Sequence, residues 1–162
     1  MQARLDIQKI DPQAYRAMAG IETYVRNSGL EHSLLHLLKM RASQINGCAY
    51  CLDMHSKDAR ALGETEQRLY ALNAWRETPF YTDRERAALA WTEALTLIGE
   101  THAPDDVFEE ARRHFSEAEL VTLTMAIVAI NGWNRLAIGF RMPPGLYQPK
   151  ARAEAQVPVH SS

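Results

Sequence analysis

Arg41-Ala42-Ser43-Gln44-Ile45-Asn46-Gly47-Cys48-Ala49-Tyr50-Cys51-Leu52-Asp53-Met54-His55 decides how this chain is read. Asn46-Gly47 breaks one helical pattern, and a second begins at Cys48 and runs to Leu62 before Gly63, a left-handed cap. On a helix turning about 100° per residue, Cys48, Cys51 and His55 fall within about 60° of one another and share one face. Ala59 and Leu62 continue that stripe, so the sulfurs are expected at the edge of a packed interface. Cys48 lies in the first turn, where free amides and the helix dipole favour a thiolate. His55 stands one turn beyond Cys51, within reach of its proton.

Such a trio meets the needs of dithiol chemistry. One sulfur attacks, the second condenses with the oxidised product, and a base keeps the attacker ionised. Two other readings compete: a pair of buried thiols beside an ordinary helix histidine, and three ligands of a zinc ion with a fourth recruited from elsewhere. No second Cys-x-x-Cys is present to complete a zinc site. On the preceding helix His36, Lys39, Met40 and Ser43 lie on one side and Leu34, Leu38, Ala42 and Ile45 on the other. His36 therefore has an environment distinct from the leucine stripe and is placed to extend a proton relay from His55.

The punctuation on either side is helical, and no segment alternates with a period of two, so the fold class is all-α. Asp11-Pro12 opens a helix that Asn27-Ser28-Gly29 closes. A second runs from about Glu31 to Asn46, and a short one from Glu64 to about Trp75. Thr82-Asp83-Arg84-Glu85 is a capping box before a helix with Ala88, Trp91, Leu95 and Ile98 as its buried stripe. A short helix starts near Pro104. Ser116-Glu117-Ala118-Glu119, a second capping box, opens the long apolar segment Leu120 to Phe140. Asn131, Gly132, Asn134 and Arg135 within that segment argue against a membrane span and for a buried helix. Ile45-Asn46-Gly47 is echoed at Ile130-Asn131-Gly132, where Trp133 replaces the cysteine. Residues 1–145 read as one helical domain, and 146–162 as a tail or an arm laid on a neighbouring subunit.

A chain of 162 residues with 46% hydrophobic and 23% charged residues and a formal net charge of -2 lacks the basic excess of a nucleic-acid binder. Met1 to Asp11 has no apolar run of the signal-peptide kind, so a reducing cytoplasm is expected. That gives the only two cysteines a redox role in preference to a structural bridge.

From Leu30 to about Phe140 the chain resembles the AhpD-like, carboxymuconolactone decarboxylase superfamily, most densely over residues 41–55. The alkylhydroperoxidase branch carries a glutamate, eleven residues, Cys-x-x-Cys, three residues and a histidine; here His36 stands in the glutamate's place. The resemblance implies an all-helical AhpD-like bundle assembled into trimers or hexamers, with its site near a subunit interface. It implies reduction of hydroperoxides with Cys51 attacking, Cys48 resolving and His55 as base, and electrons drawn from a lipoyl or thioredoxin-like dithiol. It brings no cofactor and no resident metal. The alternative within the same resemblance is a dithiol-disulfide reductase or adaptor that recharges another peroxidase. The decarboxylase branch does not depend on a cysteine pair, and the presence of both cysteines argues against it.

Overall fold

The computed structural model describes residues 2–149, among which every regular element is helical. The elements are α1 (Ile7–Ile10), α2 (Pro12–Arg26), α3 (His32–Asn46), α4 (Ala49–Ala61), α5 (Glu66–Ala71) with a 3-10 turn (Leu72–Glu77), α6 (Asp83–Thr96), α7 (Ile98–Thr101), α8 (Asp105–His114) and α9 (Glu117–Phe140). The chain has the all-α fold that its sequence implies.

Local chemistry sets the boundaries. The Asp11 carboxylate accepts from the amides of Gln13 and Ala14 at 3.0 Å, and Pro12 fills the first helical position of α2. Both expected capping boxes form, at Thr82/Glu85 and Ser116/Glu119. Arg84, just inside the first box, joins three elements: its guanidinium donates to Glu31 before α3 and to Glu119 of the second box, and lies over the Phe115 ring.

α3 is the central helix and packs on α4, α6 and α9. Leu37, Leu38, Leu89, Leu123, Ile127 and Ile130 are almost completely buried. Full burial of such a side chain contributes roughly 1.5–3 kcal/mol. α9 is long and apolar enough to cross a membrane, yet it lies against α2, α3, α4 and α6, with half of its most apolar window buried within the chain.

The structure departs from the sequence reading at three places. The segment read as one helix from Glu64 to Trp75 splits into α5 and a 3-10 turn, because the Arg86 guanidinium takes the carbonyls of Trp75, Arg76 and Thr78. Ile98 is exposed, not part of the α6 stripe: α6 ends at Thr96, and its buried set is Ala87, Ala88, Leu89, Trp91, Thr92, Ala94 and Thr96. The two Ile-Asn-Gly echoes also behave differently. Gly47 closes α3 at φ +70°, whereas Gly132 stays inside α9, where a Cβ would sit 2.7 Å from the Met18 side chain.

After α9 the chain turns back over α4. The Gly145 amide donates to Asp53 at 3.0 Å, Lys57 Nζ to the Tyr147 carbonyl at 3.0 Å, and Tyr147 Oη to Asp58 Oδ1 at 2.7 Å. The tail expected over 146–162 thus begins on its own α4; residues 150–162 lie outside the described residues.

Candidate redox site

The junction between α3 and α4 builds the site. With Gly47 left-handed, the Cys48 amide returns to the Ser43 carbonyl at 3.0 Å, and Cys48 becomes the N-cap of α4 in an extended conformation. Its Sγ takes the place a capping oxygen would occupy, accepting from the Cys51 amide at 3.4 Å. The Cys48 and Cys51 sulfurs lie 2.7 Å apart, within hydrogen-bonding distance; both thiols are free and buried.

This geometry divides the two sulfurs electrostatically. The bond from the Cys51 thiol, the Cys51 amide and the neighbouring Asn134 amide outweigh burial and hold Cys48 at about 7, below an ordinary thiol. Cys51, which gives its proton to that bond and is buried beside the Cys48 charge, is pushed upward. The pair behaves as one acid whose first charge rests on Cys48.

A polar network inside the apolar core supports the sulfurs. Asn134, on α9 and fully buried, donates to Ser43 Oγ at 3.1 Å and accepts from Asn46 Nδ2 at 2.8 Å. Asn46 also donates to Asn131 Oδ1 at 2.9 Å, so the two Ile-Asn-Gly echoes meet in space. The sequence reading gave these asparagines no role. The echo was the one signal that could have found them.

His55 is 5% exposed and stands on α4 behind the cysteines, with no hydrogen bond to either sulfur. The proton transfer expected from Cys51 therefore has no direct hydrogen bond to follow. His36, from α3, faces His55 instead at a ring-centroid distance of 5.6 Å, so the structure brings the two histidines together as the relay reading requires. The Nδ1 atoms of both rings are buried without a partner among the described residues. Burial and the nearby Lys39 ammonium keep both imidazoles neutral: His36 is lowered to about 4, and His55 well below its ordinary value by burial, Lys39 and His36. Lys39 is itself buried and paired with Glu22 of α2. Asp58, also on α4, completes a group in which His36, His55 and Asp58 offer ligand atoms all within 4.8 Å of one another. Among the described residues Cys48 and Cys51 belong to no such group, so the geometry lends the Cys48/Cys51/His55 zinc reading no support.

Comparison with known proteins agrees with the geometry. The model of the carboxymuconolactone decarboxylase family matches residues 12–94. The chain is 43% identical over 138 residues to the uncharacterised protein YdfG of Bacillus subtilis, covering 85% of this chain and 94% of that one. It is similar to Atu0492 of Agrobacterium tumefaciens, a protein of unknown function provisionally assigned to antioxidant defence as AhpD. That similarity has 51% identity and a TM-score of 0.87, over 90% of this chain and all of that one. The debrominase Bmp8 shares the fold alone, at 21% identity and a TM-score of 0.72 over 84% of this chain and 73% of that one.

Proposed function

The chain belongs to the carboxymuconolactone decarboxylase family, and from that premise we propose that it is a thiol-dependent peroxidase that reduces alkyl hydroperoxides through Cys48 and Cys51. The observation that carries this reading is the pair of free sulfurs at the α4 N-terminus, 2.7 Å apart with one capping the helix. The antioxidant-defence assignment of the Agrobacterium relative supports it.

The Cys48 thiolate attacks the terminal peroxide oxygen; the O–O bond breaks and Cys48 becomes a sulfenic acid. The Cys51 proton passes to the departing alkoxide, with His55 as the base that receives and returns it, and the alcohol leaves. The Cys51 thiolate then attacks the Cys48 sulfur, hydroxide departs as water after taking a proton, and a disulfide remains. Two electrons from a lipoyl or thioredoxin-like dithiol restore the pair. The resemblance implies first attack by Cys51, whereas the helix-capping position of the Cys48 sulfur favours Cys48. His36 links His55 to solvent and takes over the proton-carrying part of the family glutamate, without its fixed charge.

The same geometry favours one second reading. A thiolate on the N-terminal sulfur of a helix-capping Cys-x-x-Cys suits dithiol-disulfide exchange, the chemistry of a reductase or adaptor. Steady-state consumption of cumene hydroperoxide with dihydrolipoamide as donor separates them. Turnover supports the peroxidase; disulfide reduction without peroxide turnover supports the adaptor. Either role belongs to a reducing cytoplasm and to a homo-oligomer, a trimer or hexamer, with small-molecule and protein-thiol partners.

A further inference from the structure

We propose that His36, His55 and Asp58 bind a divalent transition-metal cation, zinc by the chemistry of the donors, and that its binding silences the redox pair. The second half rests on the role given to His55 above; the first half does not.

Three observations converge on the site. The ligand-capable atoms of the three side chains lie within 4.8 Å of one another, His36 from α3 and His55 and Asp58 one turn apart on α4. His55 is 5% exposed, and its Nδ1, like that of His36, meets no hydrogen-bond partner. A neutral imidazole has one donor and one acceptor nitrogen, so two such rings face one another with unused nitrogens. Asp58, finally, is already oriented: Tyr147 Oη donates to Oδ1 at 2.7 Å, the kind of outer contact that fixes a ligating carboxylate.

Two imidazoles and one carboxylate, with the fourth position open, form a familiar zinc donor set. Bonds of about 2.1 Å at tetrahedral angles hold ligand atoms roughly 3.4 Å apart. Closing from 4.8 Å takes rotation of rings whose Nδ1 atoms hold no bond that must break. The charges around the site are compatible with a cation. The Lys39 ammonium is balanced by Glu22, and Asp58 adds one negative charge. A metal on this site takes the His55 lone pair, so the base that receives the Cys51 proton is removed while both sulfurs stay in place.

The test begins with the full chain carrying Cys48→Ser and Cys51→Ser together, so that no sulfur can ligate. Titration with cobalt(II) is expected to give one equivalent per chain, with a ligand-field spectrum of nitrogen and oxygen donors, and zinc should displace it. His36→Ala and Asp58→Asn, each added to that background and checked for folding by circular dichroism, should weaken binding by more than about tenfold. No stoichiometric binding, or binding unchanged in both variants, overturns the site. In the cysteine-containing protein, reduced and freed of small thiols, zinc should slow a single turnover with cumene hydroperoxide. Asp58→Asn, its rates normalised to its own zinc-free rate, should require more than about tenfold more zinc for the same fractional effect. Undiminished turnover at full occupancy, or equal inhibition of both proteins, overturns the regulatory half. Failure of the zinc-free protein to react with peroxide refutes the peroxidase reading and the silencing with it, and leaves the site to the cobalt titration.

Discussion

His36 and His55 face each other across the α3–α4 interface at 5.6 Å between ring centroids, inclined by 52°, each with a buried and unpartnered Nδ1. In the proposed mechanism, proton transfer away from the sulfurs passes through this contact. His36→Ala should lower peroxide turnover by about tenfold or more, with near-native stability at neutral pH, because loss of a proton carrier acts on the transition state. His36→Glu, which supplies the carboxylate of the alkylhydroperoxidase signature, should retain more activity than the alanine variant. Equal rates and profiles for all three proteins remove His36 from the mechanism.

The sulfurs are assigned by single substitutions. With the thiolate at the α4 N-cap, Cys51→Ser should still react once with peroxide and stall as a Cys48 sulfenic acid that dimedone traps. Cys48→Ser should lose the fast reaction altogether. The opposite pattern gives the attack to Cys51, as the family resemblance does.

The pH dependence follows from the same pair. Cys48 ionises at about 7, so the rate of reaction with peroxide should rise through that pH and level off above it. The histidines add no inflection near neutrality, since His36 titrates at about 4 and His55 is also held well below its ordinary value. An activity profile rising only above about pH 8.5, the range of an ordinary thiol, contradicts the N-cap account.

Stability should respond to acid through His36. Its folded value of about 4 lies below the roughly 6.5 of an unfolded histidine, so between those limits the unfolded state binds more protons. Stability is therefore held above about pH 6.5 and declines as pH falls toward 4, by at most about 3 kcal/mol for this residue. His55 acts in the same direction. Urea unfolding of wild type and His36→Ala between these limits should show a shallower decline in the variant; parallel curves refute the assignment.

Much of this was legible in the sequence because it rests on local rules. Asp11-Pro12, the two capping boxes and Gly47 mark helix ends through hydrogen bonds between near neighbours, and the structure reproduces each of them. The common face of Cys48, Cys51 and His55 follows from helical spacing alone. What stayed hidden depends on distant parts of the chain. Arg86 reshapes the end of α5 from another helix, Tyr147 reaches Asp58 only after the chain has turned back onto α4, and Asn134 meets Ser43 from α9. No periodicity encodes such contacts.

Asn134 offers a direct check on that hidden layer. Asn134→Ala leaves Ser43 and Asn46 short of a partner in a buried setting, which should cost about 1–3 kcal/mol in stability. Loss of its amide beside the sulfurs should also raise the pH at which the thiolate forms. A variant as stable as wild type with an unchanged thiolate titration shows that the network is incidental to the site.

The central claim is that Cys48 and Cys51 act together on a hydroperoxide, and stopped-flow oxidation of the fully reduced protein by cumene hydroperoxide tests it most directly. The account predicts reaction far faster than that of a free thiol at the same pH, consumption of one peroxide per chain, and a Cys48–Cys51 disulfide as the product seen by mass spectrometry. Oxidation no faster than a free thiol, or oxidation that leaves both cysteines unbridged, contradicts it.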